Sequence, residues 1–439
     1  LFEDRFLGYM KLDVFLAIGG KMADIIKKVR NKGLCCSVRT LIFKVAPNRF
    51  KKILVKLWCK IKPCFQKVFI WTDHIKINKL LNHAPRKLYA FYDLQVSPVT
   101  YDIVKYLLLV AMKKNELRCD SVNIVIVPGP DEGFCNGELK SYKVARAKNY
   151  NYKTLWWRFR NILIPSLWHL PCPAEVTLCA SREDAYRIKA NAEHVFPEDY
   201  TVSAPTSRHD WKYIRKAHLR GGRLLGLVAT AQAKEYVSEW IKKNVGDRKI
   251  VVITLRESEW HHDRNSNLIA WSSFAKGLDD KEYFPVILRD TEASFKPVPK
   301  ELEGLLFFDE AAWNMELRMA LYEIAYLNMF TNGGPASLCR SNFKTRYLVF
   351  KMVAGSDLPP KFFLERWGLA PGEQFEFQTP FQKLIWEDDE IETIKKAFGD
   401  MVQEIERNEI ENQFEKEAVT SDRLHGANGI ISDVASEVS

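Results

Sequence analysis

Cysteine is scarce and unpatterned in this chain. The nine residues are scattered, only Cys35 and Cys36 are adjacent, and no C-x-x-C or Cys/His set has zinc-ligand spacing. That argues against a disulfide scaffold and a structural zinc module, and fits a reduced, cytosol-facing protein. No N-x-Ser/Thr acceptor occurs. No apolar run reaches the roughly 18 residues needed to cross a bilayer, and no secretory leader pattern is evident. G-x-G-x-x-G does not follow the first predicted strand, so a dinucleotide cofactor is disfavoured. A P-loop, a G-x-S-x-G elbow and the kinase motif set are also missing. His261, His262 and Asp263 are sequence neighbours and point apart, so they make a poor metal set. Neither a cofactor nor a metal is expected.

What is present is a chain of 439 residues that is 47% hydrophobic, enough for two core-forming domains with appendages. Its net charge of +10 is unevenly spread. Residues 1–72 hold 16 Lys/Arg against 4 Asp/Glu, about +12, which leaves the remainder near −2. Basic and apolar residues alternate there, as in Phe15, Ile18, Met22 and Ile25 with Lys21, Lys27 and Lys28, and in Ile53, Leu57 and Trp58 with Lys52, Lys56 and Lys60. Such amphipathic basic helices suit an anionic membrane surface or a partner groove; a solvated hairpin packed on the body is the plainer alternative. Nucleic acid is not an expected partner, because aromatic stacking platforms with Gly-rich loops are lacking.

From Leu88 the pattern changes to short apolar runs alternating with helical stretches. Leu88–Tyr92 reads as a strand closed by Asp93, and Ser97-Pro98 as the cap and first turn of a helix reaching about Lys114. Val122–Val127 is a second, continuously apolar strand of the parallel kind. Leu155–Leu170, rich in Trp, Phe and Arg, reads either as a helix closing the first domain or as a second membrane-facing surface; the core reading is favoured because aromatic stripes are usually core. Val176–Ala180 is a further strand, followed by a helix capped at Ser181. Arg220-Gly221-Gly222-Arg223 reads as a hinge. Beyond it come predicted strands at Leu224–Ala229, Lys249–Leu255, Phe284–Leu288, Leu305–Phe308 and Leu327–Phe330, with helices between them. Asp388–Arg407 reads as a last helix with acids at its positive end. This predicts an α/β chain of two Rossmann-like doubly wound domains behind a basic amphipathic arm. The expected division is arm 1–84, first domain 85–220, second domain 221–408 and a disordered tail 409–439.

Ligands of open α/β sheets bind beyond the carboxyl ends of the strands. In the second half those ends carry Arg256 and Glu257, Arg289 and Asp290, Asp309, and Asn332-Gly333-Gly334-Pro335, with Arg264 nearby. Guanidinium forks and a Gly-rich turn are what a diphosphate requires. Each also has a plain structural reading as a surface pair, a self-satisfied loop or a tight turn. The first half offers carboxylates at its strand ends, Asp93 and Glu132, whose plain roles are capping and loop solvation.

Together, two Rossmann-like halves, a hinge near residue 221 and a closing C-terminal helix resemble the GT-B glycosyltransferase fold. Ile253-Thr254-Leu255-Arg256-Glu257 is similar to the strand-then-arginine element by which fucosyltransferase-like members hold the donor diphosphate, although Glu257 stands where a second basic residue is usual. Asn332–Ser337 resembles the small-residue loop near GT-B donor sites, and Phe91–Pro98 a first-strand signature of bacterial surface-carbohydrate proteins. The resemblance implies a metal-independent transferase moving a sugar from a nucleotide-sugar donor to a carbohydrate or lipid-linked acceptor. It assigns the donor to Arg256, Glu257, Arg264, Arg289, Asp290 and Asn332–Pro335, and the base to Asp93 or Glu132. The expected location, from the cysteine usage, is cytoplasmic, and peripheral on the inner membrane face if the arm is the lipid-binding element. Two alternatives stay open: a non-catalytic carbohydrate-binding or membrane-scaffold protein, and a sugar-nucleotide epimerase.

Overall fold

The computed structural model describes residues 85–135, 151–259, 261–291, 293–355 and 358–411, all within one compact unit, Pro85–Ser439. The basic arm, and the expected tail beyond residue 411, lie outside the described residues.

Four strands, β1 (Lys87–Asp93), β2 (Ser121–Val127), β3 (Ala174–Leu178) and β4 (His194–Phe196), form a parallel sheet in the order β3-β2-β1-β4. Six more, β5 (Lys249–Thr254), β6 (Tyr283–Leu288), β7 (Leu306–Phe307), β8 (Leu327–Thr331), β9 (Tyr347–Phe350) and β10 (Gln382–Leu384), form a second parallel sheet, β10-β9-β8-β5-β6-β7. Counted from β5, that order is the 3-2-1-4-5-6 of a doubly wound sheet, and the first sheet is its 3-2-1-4 part. The expected α/β architecture with two Rossmann-like sheets is present.

The helices, in chain order, are α1 (Ile103–Glu116), α2 (Tyr152–Arg158), α3 (Arg182–Ala190), α4 (Trp211–Leu219), α5 (Ala231–Asn244) and α6 (Leu268–Lys276). They continue with α7 (Asp309–Trp313), α8 (Met315–Ile324), α9 (Gly334–Arg340), α10 (Pro360–Arg366) and α11, residues 391–411.

Strand periodicity sorts the side chains into three cores. One face of β1 (Leu88, Ala90, Tyr92) and one face of β5 (Ile250, Val252) enter the same cluster, together with α1. The opposite face of β1, at Phe91, packs with Ala185 of α3 and Tyr200. The opposite face of β5, at Val251 and Ile253, packs with Trp271 of α6 and with Ile394 and Met401 of α11. The two sheets therefore share one inner core, with an outer core behind each. Helix α1 lies in the middle and is buried at every residue from Ile103 to Met112, as a helix that is apolar all round must be.

Local departures from the sequence reading have identifiable causes. α1 begins at Ile103, five residues beyond Pro98. Ser97 N–H donates to Asp93 O at 2.9 Å and Tyr92 Oη to Pro98 O at 2.7 Å, which closes the Ser97-Pro98 segment as a turn. Leu224–Ala229 is irregular and is not a strand. Its amides are taken singly by unlike partners: Leu227 by Ser341 O and Val228 by His169 O, both at 2.9 Å, and Ala229 by Glu323 Oε1. Asp389 does not serve a helix dipole. It is buried and accepts from Asn267 N and Trp271 Nε1, both at 2.8 Å. The short strands β4, β9 and β10 were not anticipated.

His169 ties the seam between the sheets. It is fully buried, its Nδ1 lies 3.1 Å from Val228 O, and burial holds its pKa below the usual histidine value. Burial also lowers that of His209, with Lys105 and Arg366 acting in the same direction. A histidine depressed in the folded state binds its proton more readily when unfolded, so its stability contribution is complete above about pH 6.5 and is lost as pH falls. Thermal melts should therefore show Tm dropping between pH 7.5 and 5. The drop should be shallower in His169→Gln, even though that variant starts from a lower Tm. A wild-type Tm independent of pH over this range would refute the assignment.

Candidate functional site

In the second sheet the winding reverses between β5 and β8, and the crevice above their carboxyl ends is where such sheets hold ligands. β5 runs into Leu255 and Arg256, and β8 into Asn332, Gly333 and Gly334. A Cβ built on Gly333 would lie 4.0 Å from Arg256 Nη1, so this guanidinium reaches across the crevice to the glycine turn. Its backbone is fixed: Ser266 Oγ accepts from Arg256 N at 2.8 Å, and Ser266 also meets Thr331 Oγ1 at 2.6 Å. Arg264 lies in a single 3-10 turn (His262–Arg264) of the following loop, which Asn265 closes with two hydrogen bonds to Ser258. Pro335 occupies the first turn of α9.

Gly334 has another reason to be glycine. A Cβ there would come within 2.5 Å of the Tyr101 ring, which approaches from the loop after β1. The carboxyl-edge loops of the two sheets therefore meet at this point.

Several residues expected to grip a ligand are instead engaged with one another. Arg289 is buried and gives Nε and Nη2 to Glu257 Oε1 and Oε2 at 2.8 and 2.7 Å, with Nη1 on Lys296 O at 3.1 Å. Asp290 Oδ2 accepts from Glu257 N at 2.7 Å. These three residues brace the ends of β5 and β6. Asn332 is buried, and its amide N–H donates to Phe350 O at 2.9 Å, joining β8 to β9. Asp309 opens α7, and burial raises its carboxyl pKa.

Asp93 is fully committed as well. Its side chain has no exposure; it accepts from Arg182 Nη1 and Nη2 at 3.0 and 2.9 Å, from Tyr200 Oη at 2.8 Å and from Gln95 N at 2.9 Å. Glu132 is exposed on a tight turn at φ 49°, between the bridged pair Gly129 and Gly133.

The sequence reading missed Arg318 and Asp102. Arg318, in the first turn of α8, is 1% exposed. Its Nε and Nη2 hold Ala311 O and Ala312 O at 2.7 and 2.6 Å, while Nη1 has no hydrogen-bond partner. Burial opposes its charge, but Tyr101, Tyr322 and Asp290 favour it and hold its pKa above the ordinary arginine value. Tyr322 Oη in turn meets Thr254 Oγ1, at the end of β5, at 3.1 Å. Asp102 precedes α1 and follows Tyr101 directly; its carboxylate pairs with the buried Lys105 through Oδ1 and keeps 28% of its exposure. Burial raises its pKa, but Lys105, His209 and Arg366 outweigh that and hold it well below the carboxylate range. His209 is buried with an unpartnered Nδ1. Asp210 binds Arg366 Nε at 2.8 Å. Both signals were visible: Arg318 falls on the buried stripe Met315, Met319, Tyr322, and Lys105 interrupts the apolar run of α1. Among the described residues, no three His, Cys, Asp or Glu gather as a metal-ligand set.

No family model matches the chain, and no curated protein does. Among solved structures it is similar to a family 9 glycosyl transferase from Veillonella parvula (11% identity, 68% of this chain and 85% of that one, TM-score 0.36). It is also similar to the ADP-heptose lipopolysaccharide heptosyltransferase II of E. coli (11% identity, 73% and 99%, TM-score 0.37). A third is a candidate UDP-N-acetylglucosamine 2-epimerase from Listeria monocytogenes (13% identity, 73% and 89%, TM-score 0.31). Similarity at this level does not assign an activity.

The brace makes a prediction that separates it from a ligand clamp. Arg289→Met leaves Glu257 largely buried without its cation, which costs about 3–5 kcal/mol of stability. Calorimetry should show a large fall in Tm, with nucleotide affinity unchanged at temperatures where the variant is folded. Loss of affinity at an unaltered Tm would return Arg289 to the ligand site.

Proposed function

We propose that the chain is a glycosyltransferase that moves a sugar from a nucleotide-sugar donor to a carbohydrate or lipid-linked acceptor. The observation that carries this reading is the meeting of two Rossmann-like carboxyl edges, where Tyr101 of one sheet's loop lies against Gly334 of the other's. A donor seated on one edge is thereby next to an acceptor seated on the other.

In this reading the donor diphosphate sits in the β5/β8 crevice. Arg256 supplies a guanidinium fork across the Gly333 turn, and Gly333 permits close approach because a Cβ there would meet nothing nearer than 3.7 Å. Arg318 adds a charge held in place by its two carbonyl partners. Arginines fixed before the reaction stabilise the departing diphosphate without reorganising when its charge develops. Arg264 stands on the adjoining loop and belongs to the same proposed site.

The general base in this proposal is Asp102 rather than Asp93 or Glu132. A base must reach the acceptor hydroxyl. Asp93 has no exposure and four donors on its carboxylate, and Glu132 rides on a turn closed by its own backbone. Asp102 keeps an exposed edge beside Tyr101, and its claim rests on that access, since the depressed pKa that Lys105 imposes weakens it as a base. As the hydroxyl attacks the anomeric carbon and the bond to the diphosphate breaks, the hydroxyl proton passes to Asp102. An epimerase would need acids and histidines converging from both halves. Here Asp102, His209 and Asp210 all precede the hinge, and the group facing them from beyond it is Arg366.

Incubation with a panel of sugar nucleotides and acceptors should release free nucleotide from one donor class. Arg256→Ala should weaken nucleotide binding about 30-fold or more, the equivalent of losing one buried charge-assisted contact. Asp102→Asn should lower turnover by about 10²–10⁴ while donor affinity stays within about threefold. Nucleotide affinity unaltered in a folded Arg256→Ala protein would remove the crevice from the proposal. Full turnover in Asp102→Asn would remove Asp102 from it.

A further inference from the structure

A helical run from Tyr152 to His169 crosses the surface of the first sheet's half as α2, a π turn (Phe159–Leu163), a short α turn (Ile164–Ser166) and a 3-10 turn (Leu167–His169). Its inward face, with Leu155, Phe159, Leu163 and Leu167, belongs to the shared core. Its outward face carries Lys153, Trp156, Trp157, Arg160 and Trp168, while Ile164 is part-buried and packs against the core. The exposed positions 153, 157, 160 and 168 fall on the side away from that core over about 22 Å of helix.

Trp156, Trp157 and Trp168 are 43%, 37% and 56% exposed. Large indoles left in water need a reason, since their bodies are apolar and only Nε1 is polar. The charge along the run has one sign. From Asn151 to Ala174 the chain has Lys153, Arg158 and Arg160 but no Asp or Glu. Two carboxylates adjoin the start of the run: Asp131 is engaged by Tyr152 Oη, and exposed Glu132 offsets one of the three cations, leaving the face net positive. A second copy of the same face would repel it, whereas an anionic surface complements it.

We infer that this outward face docks on an anionic lipid bilayer. The indoles lie at headgroup depth, and Lys153 and Arg160 face the lipid phosphates. The helix lies in the interface and does not cross it, and among the described residues no helix is long and apolar enough to do so. This inference stands independently of the transferase proposal.

The test uses the full chain with vesicles of phosphatidylglycerol and phosphatidylcholine, and a double variant, Trp157→Ser/Trp168→Ser. Trp156 is retained because its ring packs edge-on against Phe134 and Phe159, at 5.1 and 5.5 Å. The wild type should sediment with anionic vesicles, less so in high salt, and brominated lipid should quench part of its tryptophan emission. The double variant should stay folded at the assay temperature, with a somewhat lower Tm from the apolar area lost, lose that part of the quenching and bind about tenfold more weakly or worse. Arg160→Ser should reduce binding at low salt only. Any vesicle binding by residues 1–72 is common to both proteins, so the difference between them is what reports on this face. The inference is overturned by equal quenching and affinity in the two proteins, by equal binding to neutral vesicles, or by a wild-type dimer that the double variant dissociates.

Discussion

Ten consecutive residues of α1, Ile103 to Met112, are buried, so this helix offers no side to water and must be enclosed. It packs against β2 of the first sheet and against α4 and α9, the latter following β8 of the second sheet, in a core to which both sheets contribute. One of the ten is Lys105, which brings a charge into that core, and Asp102 at the head of the helix neutralises it. Packing therefore fixes an ionised carboxylate at the rim where the two carboxyl edges meet. The chemistry proposed for this protein depends on that enclosure, since halves that moved freely would not hold Asp102 in a set position relative to the β5/β8 crevice.

The sheets themselves could be read from the chain because parallel strands buried on both faces appear as continuous apolar runs. Val122–Val127 and Lys249–Leu255 show the pattern and are strands. Leu224–Ala229 shows it too and is not one, because its amides are met one by one by Ser341, His169 and Glu323. Composition reports burial, not which partner supplies the hydrogen bonds. β4, β9 and β10, with three or four residues each, are too short to carry a period.

The same limit governs the charges. Arg256 and Arg289 both follow a strand of one sheet and look alike in sequence. Arg289 is committed within the fold: Glu257, 32 residues before it, takes up both of its fork nitrogens, and no local pattern announces a pair at that distance. Arg318 was legible in a different way. A cation on the buried stripe of α8, among Met315, Met319 and Tyr322, must be held by something, and finding what holds it leads to the carbonyls of α7 and to Tyr101.

Asp93 and Asp102 show how burial assigns roles to two carboxylates nine residues apart. Asp93 collects Arg182, Tyr200 and the Gln95 amide and joins the end of β1 to α3 and to the chain after β4. Its carboxylate has no exposed edge to offer an acceptor hydroxyl, so its place in the sheet works against any use as a base. Asp102 has a single strong partner and an open edge. It also directly follows Tyr101, so its Cα is about 3.8 Å from that of the residue whose ring lies against Gly334. A side chain larger than hydrogen at residue 334 would push Tyr101 away and carry Asp102 with it. The glycine that first suggested a phosphate turn thus sets the position of the proposed base, and Gly333 beside it keeps the open approach.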